Sequence, residues 1–262
     1  MNFKKIKMVV TDMDGTLLRN DKSLSDYTLS VLKRCRQKGL LVVYATGRPE
    51  RATKNYQHRD FSSYIIANNG ASLSLCGEEF FSVPIPDKTR DELIRRFVAM
   101  KSVLGIIVET GDTVYTNEEN HRVWSTNADW NAVETDFSSP INDPIYKFSV
   151  NCEDFDAVAA VMRDYPEIQN HSCNGEPWFH MTHTSASKYS GVMRVAELAG
   201  ISAENEVIVF GDDYNDLEMI QKIGVGVAVE NAAAKVKAVA DYICDSNEND
   251  GMAKFLEQHI LS

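Results

Sequence analysis

Residues 7–18 read KMVVTDMDGTLL, and the fold turns on this stretch. The run Ile6–Thr11 is short and largely apolar, and it breaks off in Asp12, Asp14 and Gly15. Leu40–Ala45, Tyr64–Ala67 and Val207–Phe210 have the same form, with Val225–Val229 as a fifth candidate. These runs are mostly continuous rather than alternating, the pattern of strands buried on both faces of a parallel sheet. Helical spacing lies between them. Thr28, Val31, Leu32 and Cys35 fall at i, i+3, i+4 and i+7, with Gly39 placed to cap the C-terminus. Val192, Val195, Ala196 and Ala199 repeat the spacing ahead of Gly200. Strand–helix alternation of this kind predicts an open α/β fold with a parallel sheet.

In such sheets ligands bind beyond the carboxyl ends of the strands. The first run ends in Asp12-Met13-Asp14-Gly15-Thr16 and the second in Thr46-Gly47-Arg48. The third ends in Asn68-Asn69-Gly70, and the fourth in Gly211-Asp212-Asp213 with Asn215 and Asp216 close behind. Four distant segments would thus set their polar residues along one sheet edge. Asp12, Asp14 and Asp212, with Asp213 and Asp216 nearby, are untenable together when desolvated unless a cation neutralises them. Hard oxygen ligands favour Mg²⁺, and Lys188 and Arg48 supply further positive charge. Carboxylates, a hydroxyl, a lysine and glycine amides around a divalent ion suit phosphoryl transfer, which needs positioning and neutralisation above all. One Asp can attack to give an aspartyl-phosphate, and a carboxylate two residues on can protonate the leaving alcohol.

The middle of the chain reads differently. Pro84 and Pro86 mark a break after Ser82. A helical stretch with Leu93, Phe97 and Met100 follows, then a hairpin around Thr110–Asp112. A second helix holds Phe155, Val158, Ala159 and Met162, and short strands are expected at Ile168–Cys173 and Trp178–Met181. The polar link His183–Ser187 closes an α+β insertion of about 100 residues, an ordinary domain size.

DMDGT at Asp12–Thr16, the Thr of ATGR, the lysine of SKYSG and GDDYND at Gly211–Asp216 resemble, in order, the four motifs of the haloacid dehalogenase superfamily. The position of the insertion resembles a type C2 cap. NNGA after the third strand and DGMAKFLEQHI near the end are similar to the Cof-like, type C2B (class IIB) branch, known mainly for sugar-phosphate hydrolysis. The resemblance implies a Rossmann-like core at residues 1–82 and 185–262 and a C2B cap at 83–184. It implies Asp12 as nucleophile and metal ligand, and Asp14 as acid/base lending its backbone carbonyl to Mg²⁺. Asp212 would bind Mg²⁺, with Asp216 and Asp213 behind it. Thr46, Gly47, Lys188 and Asn215 would hold the phosphoryl group, and Arg48 and Asn69 would be placed to touch substrate. Tyr189 after Lys188, Glu230 before Asn231-Ala232, and His180 where relatives often carry an acid depart from the pattern. They bear on substrate rather than on reaction type.

Composition narrows the remaining classes. With 27 basic and 38 acidic residues in 262, the net charge is −11, which disfavours nucleic-acid binding. No apolar run approaches the roughly 18 residues of a membrane span, and the start resembles no signal peptide. Cys35, Cys76, Cys152, Cys173 and Cys244 are scattered without a C-x-x-C pair, so reduced, largely buried thiols of a cytoplasmic protein are expected. The partner expected is a small phosphorylated metabolite, with the chain acting as monomer or homodimer.

Single motifs are weak: DMDG alone reads as a turn, and a lysine in a first helical turn is usually solvated. As an EF-hand the glycine is misplaced. His180 and His183 lack the companions of a zinc site and are expected in packing or hinge roles, while Trp124, Trp130 and Trp178 are expected in the cap core, with the lining of a substrate pocket as the alternative. A phosphomutase of the same branch would keep every motif. Non-catalytic phosphometabolite binding is disfavoured by the presence of both Asp12 and Asp14.

Overall fold

The structure is a computed structural model that describes residues 3–56, 64–118, 132–172 and 177–262. The chain begins with β1 (Met8–Thr11), α1 (Asp26–Gln37), β2 (Leu41–Ala45), β3 (Tyr64–Ala67), β4 (Ser72–Leu75) and β5 (Glu78–Ser82). It continues through α2 (Asp87–Val98), β6 (Val103–Glu109), β7 (Val114–Thr116), β8 (Ala132–Glu134) and β9 (Lys147–Cys152). Next come α3 (Phe155–Met162), β10 (Ile168–Ser172), β11 (Trp178–His183), α4 (Lys188–Ala199) and β12 (Val207–Gly211). The last elements are α5 (Leu217–Lys222), β13 (Val225–Val229), α6 (Ala234–Val239), β14 (Tyr242–Cys244) and α7 (Gly251–Leu256).

The strands form two sheets. The first has the order β14-β13-β12-β1-β2-β3-β4-β5. It is parallel from β14 to β3 and closes with the antiparallel pair β4 and β5. The α/β fold read from the sequence is the fold observed, with that antiparallel edge and β14 added. Val9, Val43, Ile66, Ile208 and Val227 are buried at the sheet's centre, each contributing about 1.5–3 kcal/mol on the transfer scale. On α1 the buried residues are Thr28, Val31, Leu32 and Cys35, the four marked by spacing. Ser25 caps the helix, accepting from Thr28 N at 3.0 Å, and Gly39 follows it at φ +87°.

The second sheet has the order β10-β11-β9-β6-β7-β8 and is antiparallel apart from β7–β8. Its apolar face packs Ile106, Val108, Phe148, Val150, Phe179 and Met181 against Leu93 and Phe97 of α2 and Val158 of α3. Phe155 differs from expectation: it is exposed and meets Phe179 edge-on, while Val161 takes the buried position on α3. Period-two alternation leaves Lys147, Ser149, Gln169, His171, His180 and Thr182 on the opposite, polar face.

Contacts among the described residues join the sheets, Tyr146 Oη donating to Glu79 Oε1 at 3.0 Å being one. Arg51, in the one-turn-and-more 3₁₀ segment Glu50–Tyr56, pairs with Glu109 and donates to Thr110 O at 3.1 Å. Lys147 Nζ donates to Gly47 O at 2.8 Å. Ile85 N donates to Ile145 O at 2.8 Å, where the chain passes from one sheet to the other. The polar face of the second sheet consequently stands over the carboxyl edge of the first.

Candidate active site

β12, β1, β2 and β3 are consecutive in the sheet, so the four polar strand ends converge on one edge. They line a cleft of about 240 Å³ with Asp12, Asp14, Thr46, Gly47, Arg48, Asn69, Asp212, Asp213 and Asn215. From the other sheet come Lys147, His171 and His180.

Lys188 is the hinge of the arrangement. It lies in the first turn of α4, 1% exposed, and its Nζ meets Asp12 Oδ1 at 2.6 Å and Asp216 Oδ1 at 2.7 Å. Local sequence places it there. Ser187 is an N-cap whose side chain accepts from Ser190 N, and the Ser190 hydroxyl answers on Ser187 N. Burial opposes the ammonium's charge, but Asp12 and Asp216 hold its pKa above the ordinary lysine value. Asp12, Asp212 and Asp216 each offer an oxygen within 4.8 Å of the others. Burial pushes Asp12 well above the usual carboxylate range, against Lys188 and helped by Asp216 and Asp212. Burial, with Asp216 beside it, raises Asp212 to about 7. Three carboxylates sharing one ammonium are short of positive charge, and their oxygens form a hard donor set able to hold a divalent metal ion. In the same loop, Asn215 Oδ1 is buried and unpartnered among the described residues.

Asp216 orders the loop: its Oδ2 accepts from the backbone amides of Asp212 at 3.0 Å and Asp213 at 3.2 Å. Asp213 stands at the cleft rim and caps Tyr214. Gly15, at φ +81°, lies where a Cβ would run into the Asp212 carboxylate, so only glycine lets the two loops close. Thr16, given no role from the sequence, donates to Asp212 Oδ1 at 2.7 Å.

The Asp14 carboxylate lies outside that oxygen cluster. Arg48 grips both of its oxygens at 2.6 and 2.7 Å, and Lys22 reaches it at 2.8 Å. Burial would raise Asp14, but the Arg48 and Lys22 hydrogen bonds bring it down to about 2. Thr46 is buried, its hydroxyl accepting from Arg48 N at 3.1 Å. Asn69 and Asn215 come together, the Asn215 amide donating to Asn69 Oδ1 at 2.9 Å. Asn69 also packs against Gly47.

Sequence reasoning missed Lys147 and His171. The available signal was alternation in KFSVNC, where Lys147 and Ser149 interleave with the core residues Phe148 and Val150. His180 faces the cleft, while His183 is at the link and accepts from Ser185 N at 3.1 Å. Trp178 is not in the apolar core. Alternation puts Phe179 and Met181 there, and the indole stacks on His180 with planes 3° apart. Trp124 and Trp130 lie outside the described residues.

Fold and site together define an α/β enzyme with a buried acidic centre under a second sheet. The chain belongs to the haloacid dehalogenase-like hydrolase family, whose family model matches residues 9–256. It is 28% identical to the 5-amino-6-(5-phospho-D-ribitylamino)uracil phosphatase YitU of Bacillus subtilis (strain 168), over 96% of this chain and 97% of that one. It is 26% identical to the pyridoxal phosphate phosphatase YbhA of Escherichia coli (strain K12), over 97% of this chain and 99% of that one. A solved haloacid dehalogenase-like hydrolase from Bacteroides thetaiotaomicron superposes with TM-score 0.83 at 26% identity, covering 97% of this chain and 99% of that one. The family expected from the motifs is the family found, and the chain is a hydrolase of its phosphatase class. Among the described residues no helix is long and apolar enough to cross a membrane.

Proposed function

We propose that the chain is a Mg²⁺-dependent phosphatase that hydrolyses small phosphate monoesters, sugar phosphates foremost, through a phosphoryl group carried on Asp12. The observation that carries this reading is Asp12 itself. It is a buried carboxylate held by Lys188 at 2.6 Å at the floor of a cleft, beside two further carboxylates.

In the proposed reaction Asp12 attacks phosphorus as the ester P–O bond breaks, and Asp14 delivers a proton to the departing alkoxide. Water then attacks the aspartyl-phosphate with Asp14 taking its proton, which frees phosphate and restores Asp12. Asp14 must first leave Arg48, whose guanidinium keeps it ionised. Asp12, Asp212 and the Asp14 backbone carbonyl would hold Mg²⁺, which when bound supplies neutralising charge to the phosphoryl oxygens. Thr46, the Gly47 amide, Lys188 and Asn215 would hold those oxygens. Asp216 and Asp213 would keep the loop in place, and Arg48 and Asn69 would face the substrate. Residues 83–184 would act as a C2B cap on a core of 1–82 and 185–262. Cytoplasmic residence, as monomer or homodimer, belongs to the same reading; the four described cysteines are unpaired, which supports it.

The test is phosphate release from sugar phosphates, nucleotides, an aryl phosphate and the two compounds that the relatives are named for. Release is expected with Mg²⁺, and its loss with EDTA or in Asp12→Asn. Release that survives Asp12→Asn would exclude the aspartyl-phosphate route.

A further inference from the structure

The polar face of the second sheet carries a histidine pair that the phosphoryl chemistry does not use. His171 on β10 pairs directly with His180 on β11, and His180 pairs with Ser149 on β9. The three therefore form one cross-strand row, and both imidazoles line the cleft that Asp12 and Asp14 line from below. Each ring is fixed by a hydroxyl on one side only. Ser149 Oγ meets His180 Nδ1 at 2.8 Å, and Thr182 Oγ1 meets His171 Nε2 at 2.9 Å. Among the described residues no partner meets His180 Nε2 or His171 Nδ1. Trp178 stacks on His180, with ring planes 3° apart and centroids 6.3 Å apart.

The rings are uncharged near neutrality. Burial, then Lys188 and Lys147, lowers His171 to about 4, and burial, then Lys147 and His171, lowers His180 to about 3. A neutral imidazole has one donor and one acceptor nitrogen. With one nitrogen committed to a hydroxyl of the protein, the other is left to a ligand oxygen. An alcohol hydroxyl both donates and accepts, so it satisfies either tautomer. Among the described residues, no carboxylate of the second sheet lines the cleft to compete for it.

We propose that His171 and His180 are specificity-determining residues whose cleft-facing nitrogens hydrogen-bond hydroxyl groups of the leaving alcohol, selecting polyhydroxylated phosphates over plain alkyl phosphates. This rests on the phosphatase reading of the same cleft. A neutral hydrogen bond is worth roughly fivefold to tenfold in affinity, so two rings give a discrimination on the order of fifty-fold.

The deciding quantity is a ratio: kcat/KM for glucose 6-phosphate over kcat/KM for hexyl phosphate, which has the same reach without hydroxyls. His180→Phe and His171→Phe keep an aromatic ring and remove the nitrogens. Each is expected to lower the ratio roughly fivefold to tenfold, mostly through KM for the sugar phosphate. His180→Gln, whose amide nitrogen can approach the Nε2 position, is expected to recover part of it. The same ratio is read as dissociation constants by calorimetry on Asp12→Asn protein with Mg²⁺, alone and combined with each Phe substitution. That arm needs no turnover. If the wild type hydrolyses nothing, the phosphatase reading fails, while the binding ratio still decides the role of the histidines. A ratio unmoved in folded Phe variants, or an equal fall for both compounds, would overturn the proposal, the latter by showing a purely structural role.

Discussion

At the scale of a single residue, the acidic cluster is linked to pH by Asp212. Burial and the neighbouring Asp216 raise it from an ordinary value of 3.8 to about 7. A carboxyl group that binds its proton more tightly when folded stabilises the fold at low pH, and that stability is lost as pH rises through the folded value. The metal-free protein should therefore weaken as pH climbs from about 4 to about 7. A bound divalent ion replaces the proton and removes the penalty. Mg²⁺ is expected to raise the melting temperature more above the Asp212 value of about 7 than below it. Thermal melts across pH would show this, and Asp212→Asn should flatten the dependence. A Mg²⁺ increment indifferent to pH in the wild type would remove Asp212 from the metal's surroundings.

At the scale of elements, a turn aims a helix. Asn68, Asn69 and Gly70 all have positive φ after β3, and a Cβ on Gly70 would collide with the Ser187 carbonyl. Ser187 caps the helix that begins with Lys188, so this turn and that helix start lock together. Gly70→Ala meets both an unfavourable φ and that carbonyl, and should destabilise by more than about 1 kcal/mol. It should also lower turnover by shifting Lys188 from Asp12. Urea unfolding and phosphate release would read the two effects, and full activity at reduced stability would show that the turn does not aim the lysine. The short helices α5, α6 and α7 carried no such signal, but α1 was legible in the chain, since i, i+3, i+4, i+7 spacing is local and named all four of its buried residues. The antiparallel β4–β5 edge was not, because Glu78 and Glu79 are exposed and the strand shows no apolar run.

At the scale of the molecule, two cores are held in register by a buried ion pair. Arg51 is 7% exposed and Glu109 1%. Breaking such a pair leaves an uncompensated buried charge at a cost of about 3–5 kcal/mol, whereas replacing both partners with apolar groups is often neutral. Glu109→Gln is expected to destabilise near the low end of that range, since Arg51 keeps the Thr110 carbonyl. Arg51→Met with Glu109→Leu should recover much of the loss in urea midpoint. The double variant should still raise KM if the pair also holds the second sheet over the cleft. An additive loss in the double variant would argue against direct coupling.

What the sequence determined by itself is the sheet edge: which runs are strands, and that Asp12, Thr46, Asn69 and Asp212 follow their carboxyl ends. Apolar runs, capping residues and turn residues act over a few positions, so they are written locally. Only the tertiary structure decided what faces that edge. Lys147, His171 and His180 reach the cleft through cross-strand register among β9, β10 and β11. Likewise, Arg48 rather than the oxygen cluster took the Asp14 carboxylate, because two loops 34 residues apart in sequence meet at one point. Register and loop contact depend on which distant surfaces are buried together, and no local pattern carries that.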